Sequence, residues 1–265
     1  MKILSNRFNL VLYCALFNLL FEYSARGIRQ FFTRPLFMLA LLGIYVTYFA
    51  MLEDLIVRFR LRNYQILLCA FLYGLFPIAF LTGNLFNTRV YTGIMVAGVN
   101  IGTLFIVGIL AWGVVQGVVT LYLANRLQPR DWNHPRMGKV GWASAGLYQL
   151  VVMIYAHQNP VTPRGTPAGY LSLVILVVVV AVLVIRSLKT PGPSPRPFQP
   201  VKIMDFLSFG SIAIFLILGT FFSGEKIVTS QPLNLLAVTL ENIWVLFCGG
   251  VFFLYRLQKK SDIVV

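Results

Sequence analysis

The chain has 265 residues, of which 58% are hydrophobic and only 11% charged. Soluble domains carry roughly 25% charged residues, and a single core could not hide this much apolar surface, so most of the chain is solvated by lipid. The net charge of +14 does not point to nucleic acid, because the 22 lysines and arginines fall in short clusters between apolar runs rather than on one exposed face.

Eight apolar segments follow one another, at 8–21, 35–52, 64–82, 99–123, 140–156, 170–185, 206–222 and 233–255. Most approach the ~20 residues that a crossing helix needs, and several are short. Irregular backbone cannot face lipid, so these segments predict helices. Continuous apolar runs such as 171–185 contradict the alternating pattern of a membrane β-barrel. The expected fold is all-α: a polytopic transmembrane bundle of about eight helices, forming one integral membrane domain over 1–265.

Segment 1 is short, contains Asn18 and is followed by Glu22. Length and hydropathy favour a crossing helix, and an interfacial one would leave seven spans. Its apolar run ends Leu20-Phe21-Glu22-Tyr23 without a small-x-small cleavage site, so it reads as retained rather than as a signal peptide.

Segment 2 closes on Glu53 and Asp54, followed by Arg58, Arg60 and Arg62 alternating with Phe59 and Leu61. The two acids are placed to pair with Arg58 one turn on. The three arginines suit a surface piece in the headgroups. The cluster therefore reads either as a gate or headgroup site, with Glu53 and Asp54 in a substrate or proton pathway, or as a plain cytoplasmic anchor.

In segment 3, Pro77 predicts a kink. A polar string follows: Thr82, Asn84, Asn87, Thr88, Asn100 and Thr103, interleaved with Gly83, Gly93, Gly98 and Gly102. It fits a broken-helix site with Asn100 as a ligand candidate, and equally a glycine-rich outer loop. No charge occurs between Arg89 and Arg126. One helix over that range would be ~50 Å long, too long for the bilayer, so 90–98 is expected at the surface and the crossing helix near Val99.

Within segment 4, Gly113 and Gly117 have the small-xxx-small spacing of a helix contact face. Gln116 beside them is a pathway candidate, and Gln116 and Gln149 are placed to hydrogen-bond across helices. His157 ends segment 5 as an interfacial residue, and His134 falls in the basic loop before that segment. Residues 187–204 hold five prolines and predict an extended cytoplasmic linker between helices 6 and 7.

Segment 8 carries Glu241 in an otherwise apolar run, roughly 12 Å from its nearer end and so near the middle of a ~30 Å layer. A carboxyl there is expensive and is a functional candidate by default. Asn234, Ala237, Glu241, Trp244 or Val245, Cys248 and Gly249 share one helical face, which should turn inward. Asn242 next to it joins the candidates.

With eight crossings, 16 of the 22 lysines and arginines fall on the side of the two termini, which predicts cytoplasmic termini in a plasma (inner) membrane. Three cysteines inside apolar runs and two histidines make no metal set, and no nucleotide motif occurs, so neither metal nor cofactor is expected. Three classes remain. The first is a small-solute or lipid transporter or permease subunit. The second is a structural or assembly subunit of a membrane complex. The third is an intramembrane lipid-modifying enzyme, which the single adjacent acid pair supports least. The expected partners are the bilayer, further copies of the chain or other membrane subunits, and not nucleic acid.

Overall fold

Apolar runs that must pair every backbone group inside lipid become helices. The computed structural model describes residues 2–24, 35–91, 93–132, 137–160, 162–189, 201–221 and 232–258. Among them the chain forms eight long helices, one for each apolar segment. They are α1 (Lys2–Ser24), α2 (Pro35–Phe59), α3 (Asn63–Leu81), α4 (Ile101–Leu127), α5 (Lys139–His157), α6 (Pro167–Leu188), α7 (Lys202–Phe221) and α8 (Pro232–Gln258). Of the described helices, α2, α3, α4, α6 and α8 are long and apolar enough to cross a membrane. Residues 190–200 of the proline-rich stretch, and His134, lie outside the described residues.

Helix α4 is the centre of the bundle. It packs on α3, α7 and α8, and its last two turns also meet α1. Helix α1 packs along α2 and α7, burying Leu10, Cys14, Asn18 and Phe21. It is thus built into the bundle. Helix α6 is the opposite case: Leu171, Val174, Ile175, Val178 and Val182 are all exposed. A soluble protein does not expose such a stripe, and in lipid it carries no penalty.

Over Leu104–Val119, α4 winds as a π-helix, with α-helical turns at Ile101–Thr103 and Thr120–Leu127. The glycines explain how it fits. Gly108, Gly113 and Gly117 are spaced by five and then four residues, which matches i→i+5 winding better than i→i+4. All three face α3: a Cβ on Gly108 would meet Phe71, one on Gly113 would meet Leu67, and one on Gly117 would lie 2.7 Å from the Ala70 Cβ. The expected contact face is therefore present, and it is longer than the two-glycine motif. At the exit, Thr120 Oγ1 donates to the carbonyl of Val115, five residues back, at 2.8 Å.

At Pro77 the helix changes its winding. The last turn of α3, Pro77–Leu81, widens into π winding, and the amide of Thr82 donates to the Pro77 carbonyl at 3.0 Å. A proline has no amide to give the ladder, and here the ladder shifts register by one residue.

Between α3 and α4 the chain makes a short hairpin, with Met95 opposite Asn100 and Val96 opposite Val99. Ala97 and Gly98 form its turn, both with positive φ, 48° and 80°. That is the backbone of the two-residue hairpin turn whose twist suits its strands. Gly98 is also needed for close approach, since a Cβ there would lie 2.6 Å from the Gly169 amide nitrogen at the start of α6. Ser172 Oγ donates to the Ala97 carbonyl at 2.9 Å and fixes the same junction.

Asn100 caps α4. Its Oδ1 accepts from the Thr103 amide at 2.9 Å, and its Nδ2 donates to the carbonyls of Asn87 at 2.7 Å and Val90 at 3.0 Å. The helix starts at Ile101, close to the expected Val99. Asn100→Ala removes a cap and the bonds from Nδ2 to two half-buried carbonyls, so it should cost about 1–2 kcal/mol. The readout is the unfolding midpoint of the purified protein in mild detergent.

Candidate functional site

The charges that the helices bury gather at the end of the bundle where α2 and α4 finish and α3 and α5 begin. Glu53 lies one and a half turns before the end of α2 and is 2% exposed. Both of its oxygens accept from Arg130, from Nε at 2.6 Å and from Nη2 at 2.6 Å. Arg130 follows α4 in a loop that turns back into the bundle. Its backbone amide donates to Asn125 Oδ1 at 2.9 Å, and its guanidinium stands 5.4 Å from the centre of the Trp132 ring. The fork-to-fork geometry makes this a strong charge-assisted pair.

Asp54, next along the helix and fully buried, points to another set of donors. Its Oδ1 accepts from the Met137 amide at 2.6 Å. Its Oδ2 accepts from Arg58 Nε at 3.1 Å, Arg58 Nη2 at 2.9 Å and Trp142 Nε1 at 3.0 Å. Arg58 also donates to the Met137 carbonyl at 3.2 Å. Asp54 therefore ties α2 to the entry of α5. The sequence pairing of Asp54 with Arg58 is present. Glu53 instead takes Arg130, a residue 77 positions away that the spacing along one helix could not reveal.

A third acid closes the same end. Asp205 in the first turn of α7 accepts from Tyr122 Oη at 2.7 Å and from Arg126 Nε at 3.1 Å. The Val201 amide donates to Tyr122 Oη at 2.9 Å, so Tyr122 joins α4 to the start of α7. The Arg126–Asp205 pair is about a third exposed and adds little stability.

One layer further in, Gln149 of α5 joins three helices. Its Nε2 donates to the Ile44 carbonyl and to Thr47 Oγ1, both at 2.6 Å, while Tyr73 Oη donates to its Oε1 at 2.7 Å. Tyr73 stacks on Tyr48 with ring centres 4.0 Å apart, and Trp112 packs beside both. The other glutamine, Gln116, is buried on α4, and among the described residues its Oε1 has no partner.

The opposite end is open. A cavity of about 1050 Å³ lies between the end of α1, the first turns of α2 and the last turns of α3 and α5. Leu41, Leu81 and Val152 form apolar wall, and Glu22, Thr82 and Gln158 give it polar edges. Its lining residues Leu36 and Tyr155 are 80% and 78% exposed, so among the described residues the cavity reaches the surface of the bundle.

The remaining candidates lie apart from these groups. Glu241 is half-buried on α8, on the face that also carries the buried Ala237, Val245 and Cys248. That face meets α4 and α7: Leu110 lies against Gly249, and Trp244 Nε1 donates to Ser211 Oγ at 2.8 Å. The side chain of Asn234 lies outside the described residues. Asn242 donates to the Val238 carbonyl of its own helix at 2.8 Å. Arg60 is exposed with φ 50°, and the Arg62 amide donates to Gln65 Oε1 at 2.7 Å, starting α3. Asn100 belongs to the hairpin, with its bonds spent on the loop. His157 meets Tyr170 Oη at 3.1 Å.

The sequence reading missed Arg130, Trp142, Tyr122 and Glu22. One signal for the first was available: Glu53 sits too deep in an apolar helix to stay unpaired, and Arg130 is one of the bases expected at the same end of the bundle.

No curated protein and no solved structure matches the chain. Residues 11–262 match a family model described as an uncharacterized membrane protein family, so the chain belongs to that family of multi-pass integral membrane proteins.

Proposed function

We propose that the protein is a carrier for a lipid-like amphipathic molecule, loaded sideways from the bilayer. The observation that carries this reading is the cavity of about 1050 Å³, apolar in its walls, polar at its edges and lying at the end of the described bundle away from the buried ion pairs. Ligand sites of this kind bury an apolar body and orient it by a few polar groups. The other end is shut by Glu53–Arg130, by Asp54 with Arg58 and Trp142, and by Asp205 with Tyr122 and Arg126. A cavity open on one side and a charged closure on the other is the arrangement that alternating access requires. An assembly subunit would need neither. The lysine and arginine bias supports a cytoplasmic closed end, and with it the reading of a plasma-membrane protein.

The test is reconstitution into liposomes holding a fluorescent phospholipid, with dithionite quenching to follow movement between leaflets. Wild type should move the lipid faster than protein-free liposomes. Filling the cavity by Ala40→Trp should slow this by about tenfold, the equivalent of ~1.4 kcal/mol on the barrier. Movement at the protein-free rate in wild type would sink the reading, and so would an unaffected, folded Ala40→Trp.

A further inference from the structure

We infer that the joint between the start of α3 and the end of α6 holds the headgroup of an anionic phospholipid. The inference is independent of the cavity and of the carrier reading.

One side chain pins the two elements together. Gln65, in the first turn of α3, accepts from the Arg62 amide through Oε1 at 2.7 Å. Its Nε2 donates to the carbonyl of Ser187, in the last turn of α6, at 2.9 Å. The turn before α3 and the end of α6 are thus both held to a single amide group. Each brings two bases to it. Arg60 and Arg62 flank the buried Leu61. Arg186 and Lys189 stand one turn apart on α6, where the Lys189 amide donates to the Arg186 carbonyl at 3.2 Å. Arg60, Arg186 and Lys189 are exposed, and Arg62 is half-buried.

Little on the protein balances these charges. The described acids at this end of the bundle are Glu53, Asp54, Asp131 and Asp205. Arg130 holds Glu53, Arg58 holds Asp54 and Arg126 holds Asp205. Among the described residues, the four bases of the joint therefore face at most one further carboxylate, that of Asp131.

The backbone gives a second sign. A helix that ends on a left-handed residue favours glycine there. Arg60 holds that position after α2, with φ 50°, and the Leu61 amide closes the end on the Ile56 carbonyl at 3.3 Å. The chain keeps an exposed guanidinium where glycine would cost less, and outliers of this kind gather at ligand-binding and switch regions.

Neighbouring side chains select the partner. Phe59, Leu183 and Ile185 are exposed beside the bases, a surface that suits lipid and not water. An anion at the joint stands on the boundary between apolar and charged surface, where a phospholipid carries its phosphate. Arginine forks match phosphate oxygens in pairs. Each base near a bilayer surface adds about fivefold in affinity, the equivalent of ~1 kcal/mol.

The experiment uses the whole protein in a neutral detergent. It is titrated with phosphatidylglycerol, or with phosphatidylcholine of the same chains, and bound lipid is counted by native mass spectrometry. Wild type should bind phosphatidylglycerol at least fivefold more tightly than phosphatidylcholine. Arg60→Gly and Lys189→Gln should each weaken phosphatidylglycerol about fivefold and leave phosphatidylcholine unchanged. Arg60→Gly should also unfold, without added lipid, at or above the wild-type midpoint, which separates lost binding from lost fold. Lys139→Gln, a base removed at the same end but on α5, should bind like wild type. Equal binding of the two lipids by wild type overturns the proposal, as does undiminished phosphatidylglycerol binding by a folded Arg60→Gly. A loss in Lys139→Gln as large as in Arg60→Gly would reduce the joint to diffuse attraction and overturn it too. Displacement of phosphatidylglycerol by equimolar soluble glycerol phosphate would assign the site to a free phosphate and overturn the lipid.

Discussion

Glu53→Ala should lower the stability of the purified protein by about 3–5 kcal/mol, the cost of leaving a buried charge without its partner. Arg130 would keep its guanidinium in a pocket where only 1% of its side chain reaches solvent. The loss should be far smaller in a chain carrying both Glu53→Met and Arg130→Met, because two apolar groups of similar volume need no pairing and often replace a buried ion pair without loss. The readout is equilibrium unfolding in mixed micelles, compared for wild type, each single variant and the double variant. A single variant as stable as wild type would show that the pair is not buried as described. A double variant no better than either single one would show that the loop after α4 depends on more than charge.

The second large effect concerns the seam between α3 and α4. Gly117→Ala should cost about 1–3 kcal/mol, as overpacking of a tight core does. The new methyl would stand 2.7 Å from the Ala70 Cβ and 3.0 Å from the Trp112 carbonyl oxygen, neither of which is the movable end of a side chain. Ala70→Gly in the same chain should restore part of the loss. Gly146→Ala is the control. It lies on α5 with nothing within 4 Å of an added Cβ, and should be neutral or gain up to about 1 kcal/mol from helix propensity. Equal effects at positions 117 and 146 would mean that the seam is looser than the structure has it.

The eight helices could be read from composition because lipid leaves a chain few options: a long apolar run has to pair its own backbone. Their contacts could be read only where a single helix carries both partners, as with Asp54 and Arg58. Glu53 shows the limit. Its burial implies a cation, but the choice of Arg130 depends on how a loop folds back across the end of α4, and no period within one helix encodes that. The face of α8 around Glu241 was legible from spacing, since small and polar residues repeated on one side. The cavity was not legible, because it is made of ordinary residues, among them Leu41, Leu81 and Val152, and depends on where four helix ends stop. Asn100 read as a ligand candidate because a polar side chain next to glycines suits both a binding loop and a cap. The hydrogen bonds to Asn87, Val90 and Thr103 now assign its atoms to the cap.

The winding of α4 also bears on membrane thickness. Its 27 residues would measure ~40 Å as an ordinary α-helix, against a hydrocarbon layer of ~30 Å. Most apolar helices with such an excess tilt, or thicken the bilayer around them. A π-helix places more residues in each turn, so it is wider and advances less per residue. With Leu104–Val119 wound this way, α4 shortens itself, and part of the mismatch is absorbed within the rod rather than by its angle. The extra girth has to go somewhere, and the three glycines facing α3 supply the room. In this helix, fit to the membrane and fit to the neighbouring helix are set by the same residues.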